Sequence, residues 1–120
     1  MGIAHRGRLN LMLCMLNLDP VTFFAKIKGK SEYSADVEIA SGDISHHFAC
    51  STELNYEHDA TNKKIHVSLM PNPSHLEAVD ALVMGKTRSK QMLMKDGLYS
   101  EEPLLNSTKV SSLLVHGDVS

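Results

Sequence analysis

The stretch Asn72-Pro73-Ser74-His75-Leu76-Glu77-Ala78-Val79-Asp80-Ala81-Leu82-Val83 sets the reading of the whole chain. Pro71 and Pro73 remove backbone donors and restrict their neighbours, so the segment opens as a rigid turn. Ser74, followed three residues later by Glu77, reads as a capping box. The helix it predicts carries Leu76, Val79, Leu82 and Val83. It then turns basic through Lys86, Arg88 and Lys90, an order that suits the helix dipole.

Upstream of this turn, Ile65, Val67 and Leu69 alternate with His66 and Ser68, which predicts a strand over 64–70 with one buried face. A partner strand is expected over 51–56, with Asp59-Ala60-Thr61-Asn62 supplying the hairpin. Ser41-Gly42-Asp43 forms a turn before Ile44-Ser45-His46-His47-Phe48, and residues 30–39 read as a polar, mobile connection. Asp19-Pro20 is an N-cap with proline in the first helical position. The helix it opens runs through Phe23, Phe24 and Ile27 to a C-cap at Gly29. Before it, Leu9 to Leu18 is apolar nearly all round and reads as a buried helix.

Downstream, residues 95–107 read as a polar loop. Residues 110–115 form a short apolar strand, with His116-Gly117-Asp118 as the turn at its carboxyl edge. Helices alternating with strands predict an α/β layer architecture. Such sheets hold ligands at the carboxyl ends of their strands, and Asp118 falls at such an end.

Length and composition suit one domain or part of one: 120 residues, 42% apolar and 22% charged, with a formal net charge of -2. Lysine and arginine are scattered, so there is no basic stripe for nucleic acid. No apolar run approaches the roughly 20 residues that span a bilayer. Cys14 and Cys50 offer neither metal-ligand spacing nor a disulfide framework. They are expected to be reduced and buried, which points to an intracellular compartment. Met1-Gly2-Ile3-Ala4-His5-Arg6 is neither a secretory signal nor a transit peptide.

Four constellations carry chemistry. His5-Arg6-Gly7-Arg8 sets an imidazole and two guanidinium groups around a glycine before a helix, a recipe for phosphate or carboxylate and equally the composition of a basic surface loop. His46-His47 in a strand would point to opposite faces, so both are not expected on one metal ion. The turn 72–77 could hold a hydroxyl and an apolar wedge in place, or simply start a helix. Gly117-Asp118 offers a hard oxygen ligand suited to Mg²⁺ beside a diphosphate, although Gly-Asp is also ordinary turn chemistry. Each alone is as well explained by structure as by function.

Their conjunction is more specific. Residues 2–10, 41–43, 72–79, 85–88 and 116–118 together resemble, in order and over essentially the whole chain, the decarboxylating first component of the 2-oxoglutarate dehydrogenase family. Residues 28–33, 69–73 and 96–100 are similar to its 2-oxoadipate dehydrogenase branch.

The resemblance implies an α/β fold of the three-layer α/β/α type. Residues 1–120 would be a fragment of the domain that binds thiamine diphosphate and Mg²⁺, truncated at both ends. It implies catalytic roles for His5 and His47 and cofactor contacts from Arg6, Ser74, Leu76 and Asp118. Leu76 would be the apolar wedge under the bent coenzyme, and Asp118 the first metal ligand. His46 stands where the 2-oxoglutarate enzymes carry tyrosine and the 2-oxoadipate branch serine, which makes it a candidate for substrate selectivity. Implied partners are a 2-oxo acid, a second copy in a homodimer, a lipoyl acyltransferase and a dihydrolipoyl dehydrogenase. The implied location is the mitochondrial matrix in a eukaryote and the cytoplasm otherwise. Two other readings remain open: a small non-catalytic interaction domain, or a metal site made from His46, His47, His58 and His66.

Overall fold

The computed structural model describes residues 1–29, 47–55, 63–72, 75–101 and 107–117. Their elements are β1 (Gly2–Ile3), α1 (Arg8–Asn10) running into a wider helical turn Leu11–Met15, α2 (Pro20–Ile27), β2 (Cys50–Asn55), β3 (Lys64–Leu69), α3 (Ala78–Leu93), a 3₁₀ turn Gly97–Tyr99 and β4 (Leu114–Val115). Helices with one small parallel and one small antiparallel sheet give the α/β character that the alternation predicts.

The expected first helix forms, with two differences. It starts at Arg8, and residues 11–15 carry i→i+5 bonds, Leu16 N donating to Leu11 O at 3.0 Å. Met12 and Leu16 are buried, whereas Cys14 and Met15 are exposed. One side of the helix therefore meets the core, and Cys14 is not the buried thiol expected from composition. Cys50 is half-buried.

α2 begins as the sequence dictates. The Asp19 carboxylate accepts from Thr22 N at 2.8 Å and from Thr22 Oγ1 at 2.6 Å, with Pro20 in the first turn. Gly29 closes it at φ 72. Phe23 is the one fully buried residue of α2; Val21, Phe24 and Ile27 face outward.

β2 and β3 pair antiparallel from Cys50↔Leu69 to Asn55↔Lys64, as the hairpin pattern predicts; the turn residues lie outside the described residues. Burial tapers along β3: Leu69 is enclosed, Val67 half-buried and Ile65 exposed. The expected uniformly buried face exists at one end only, because the core formed by Ile3, Met12, Leu16, Phe23 and Leu69 lies at that end.

α3 starts at Ala78 with Glu77 in the N-cap position and no side-chain cap bond. The helix thus starts later than the capping box predicts, and Ser74, on which that box rests, lies outside the described residues. Val79 and Val83 are buried, while Leu76 and Leu82 are exposed. The buried pair packs against β1 at Gly2, where an added Cβ would lie 2.8 Å from Val83 Cγ2 and 3.2 Å from Leu114 Cδ2. Only glycine lets the strand approach the helix this closely.

β1, not anticipated from the sequence, pairs parallel with β4 through Gly2↔Leu114 and Ile3↔Val115. It also meets the end of β3, with Met1 N donating to Ser68 O and Met70 N donating to Met1 O. β1 therefore joins the two sheets, lying between β4 and the end of β3, and under α3. Among the described residues, no helix is long and apolar enough to cross a membrane.

Candidate functional site

The basic run at the N-terminus divides into two fates. His5 and Arg6 are exposed, and Gly7 turns the chain at φ 78 into α1. Arg8 is buried, with 0% relative exposure. It is not a free cation for a ligand, as the sequence suggested, but an internal anchor. Its Nη1 donates to Ile3 O at 2.8 Å. Its Nε and Nη2 donate to Phe48 O at 3.0 and 2.7 Å, and Nη2 also donates to Met70 O. Burial pulls this guanidinium below its ordinary range, while the nearby Cys50 thiol acts in the opposite sense. The same burial raises the Cys50 thiol, against the opposing effect of Arg8.

Those three carbonyls belong to the segments that carry the motifs. Ile3 precedes His5 and Arg6, Phe48 follows half-buried His47, and Met70 leads into Pro71 and buried Asn72. Oxygens bonded to one guanidinium at N–H···O lengths near 2.9 Å lie on the order of 5 Å apart. Three stretches separated widely in sequence thus converge around one side chain.

The parallel pair supplies a second convergence. Ile3 pairs with Val115, so the chain leaves the carboxyl ends of β1 and β4 side by side, one strand running into Ala4-His5-Arg6 and the other into His116-Gly117. His116 Nδ1 lies 3.0 Å from Gly117 O. The carboxyl ends of parallel strands are where α/β sheets place ligands. An exposed guanidinium and an exposed imidazole there make a donor set that fits an anionic group such as a diphosphate.

Leu76 sits in the bend before α3 and is 47% exposed, so its side chain is open to contact. His46, Ser74 and Asp118 lie outside the described residues, as does His58. Among the described residues, no three His, Cys, Asp or Glu side chains are grouped to hold a metal ion. His66 Nε2 is 3.0 Å from Ser51 Oγ across the hairpin.

Asp96 went unmarked in the sequence. It is buried, and its carboxylate accepts from Thr108 N at 3.0 Å, Lys109 N at 3.1 Å, Val110 N at 2.8 Å and Ser107 Oγ at 3.1 Å. Burial alone would raise this carboxyl, but the amides of Thr108, Val110 and Lys109 and the Ser107 hydroxyl outweigh it and bring it down to about 2. Gln91 Nε2 adds bonds to Ser107 Oγ at 2.7 Å and Val110 O at 3.0 Å. Together they direct the chain from α3 into β4. The sequence showed only a polar loop, since the partners lie 11 to 19 residues from Asp96 and Gln91.

The chain is 42% identical over 120 residues to the 2-oxoadipate dehydrogenase complex component E1 of Rattus norvegicus, covering 99% of this chain and 13% of that protein. It is 44% identical over 117 residues to a probable 2-oxoadipate dehydrogenase complex component E1 homolog of Dictyostelium discoideum, covering 98% and 12%. The 2-oxoglutarate dehydrogenase E1 component of Brucella anthropi is 41% identical over 118 residues, covering 98% and 11%. The chain spans 11–13% of the length of these curated relatives. No family model matches it.

Proposed function

This chain belongs, as the counterpart of one segment, to the family of 2-oxoadipate and 2-oxoglutarate dehydrogenase E1 components, and from that premise we propose that it supplies part of a thiamine-diphosphate- and Mg²⁺-dependent active site. The observation that carries the proposal is the parallel pairing of β1 with β4, which sets His5-Arg6 beside His116-Gly117 at one sheet edge. Asp118 follows Gly117 directly in sequence. Residues 1–120 would be a piece of a diphosphate- and metal-binding domain of three-layer α/β/α type.

In this reading the coenzyme, when bound, supplies the electron sink for loss of CO₂ from a 2-oxo acid. Arg6 neutralises and orients the diphosphate. Ser74 and Leu76 contact the coenzyme, Leu76 as an apolar support. Asp118 gives the metal a carboxylate oxygen. His5 and His47 hold the substrate carboxylate and move protons through their ring nitrogens. His46 lines the substrate end and tunes the accepted chain length. The identities to the two kinds of relative overlap, so 2-oxoadipate and 2-oxoglutarate are both candidate substrates.

The longer protein would act as a homodimer. It would pass its acyl group to a lipoyl acyltransferase served by a dihydrolipoyl dehydrogenase, in the mitochondrial matrix of a eukaryote or the cytoplasm of a bacterium.

Titration of the ¹⁵N-labelled chain with thiamine diphosphate tests the proposal. The chain alone is expected to have little affinity for the coenzyme, so at a large excess of it the imidazole signals of His5 and His47 are expected to shift together, more with Mg²⁺ than without, and Arg6→Ala is expected to remove the response. Equal responses to thiamine diphosphate and to unphosphorylated thiamine would overturn it.

A further inference from the structure

We infer that Arg8 is a positioning residue for this site: one buried guanidinium holds in register the three segments that carry His5-Arg6, His47 and Asn72. The function of those segments rests on the reading above; the geometry does not.

A buried cation is costly unless its donors are satisfied, and packing alone would favour an apolar side chain at the base of α1. Arg8 forms no ion pair with a carboxylate among the described residues. Instead, four of its bonds end on main-chain oxygens of Ile3, Phe48 and Met70. An arginine presents five N–H groups in a rigid plane, so the directions of these bonds are fixed as well as their lengths. The three carbonyls have a common place in the fold. Ile3 ends β1, Phe48 lies two residues before β2, and Met70 follows β3 directly.

Strand ends leave carbonyls that water ordinarily satisfies. Here a dry, planar group does so at all three ends at once. Lysine, with a compact ammonium on a flexible stem, cannot span them. The basic run is therefore split by Gly7 into a group that faces outward, Arg6, and a group that fixes the positions of its neighbours, Arg8.

The test uses the chain with Cys14→Ser, Cys50→Ser and a nitroxide on Ala49→Cys, next to Phe48. Without ligand, the label is expected to broaden the amide signals of His5 and Asn72. Arg8→Met is expected to abolish this broadening in the folded protein, and Arg8→Lys to weaken it. The β2–β3 cross-strand contacts should persist in both variants. On adding thiamine diphosphate and Mg²⁺, the joint histidine response should weaken about tenfold in Arg8→Lys, as for other supporting groups behind a ligand site.

Unchanged broadening in folded Arg8→Met would overturn the inference. If Arg8→Met fails to fold, unchanged broadening and unchanged ligand response in Arg8→Lys would do so. A parent chain that ignores the coenzyme defeats the active-site reading, while the ligand-free broadening still decides the role of Arg8.

Discussion

Arg8 and Phe48, forty positions apart, are joined by two hydrogen bonds to a single carbonyl, from Nε at 3.0 Å and from Nη2 at 2.7 Å. That link closes the first helix against the entrance to the hairpin. Removing it leaves the oxygen of Ile3 without this partner in a buried space and those of Phe48 and Met70 in partly buried ones. Each buried acceptor without a partner costs roughly 1–3 kcal/mol. Arg8→Met is therefore expected to lower unfolding free energy by about 3 kcal/mol or more, with Arg8→Lys recovering a minor part. Urea denaturation followed by far-UV circular dichroism measures both, and a loss under about 1 kcal/mol for Arg8→Met would contradict the assignment.

Gly2 and Gly85 make opposite predictions for the same substitution. A Cβ at Gly2 meets Val83 Cγ2 at 2.8 Å, whereas a Cβ at Gly85 meets nothing within 4 Å. Gly2→Ala should destabilise by roughly 1–3 kcal/mol through overpacking. Gly85→Ala, inside α3, should stabilise by about 0.5–1 kcal/mol through reduced chain entropy. Thermal unfolding of both variants, side by side, checks the sign of each change.

Asp96 predicts an acid-sensitive joint between α3 and β4. Its carboxyl is held at about 2 against an ordinary value of 3.8. A depressed folded value means that the stabilisation is fully present above the ordinary value and is lost as pH falls toward 2. Protection of the Thr108, Lys109 and Val110 amides, relative to their intrinsic exchange rates, should fall between about pH 4 and pH 2. Asp96→Asn should show low protection at these amides already at neutral pH, with no further loss of protection below pH 4.

The chain on its own is expected to turn over neither 2-oxoadipate nor 2-oxoglutarate when supplied with Mg²⁺ and thiamine diphosphate. It spans 11–13% of the relatives' length, and catalysis needs groups held together in a closed, preorganised site. A CO₂-release assay against the rat 2-oxoadipate dehydrogenase complex component E1 gives the comparison. Comparable turnover would show that these residues suffice.

The sequence by itself determined whatever depends on neighbours along the chain. Asp19-Pro20 capped α2 and Gly29 closed it, because a cap is satisfied within three residues. Alternation of Ile65, Val67 and Leu69 marked a strand, because side chains alternate by local geometry. The order of its motifs carried the resemblance to one enzyme family.

The tertiary structure alone decided which of two arginines, two residues apart, faces outward and which is buried. It also decided that Gly2-Ile3 is a strand, and that Asp96 anchors residues 107–110. Those outcomes depend on carbonyls, amides and a partner strand, nearly all of which folding brings from 11 to more than a hundred positions away. No local pattern encodes them, because the energy that selects each one exists only once the partners have met.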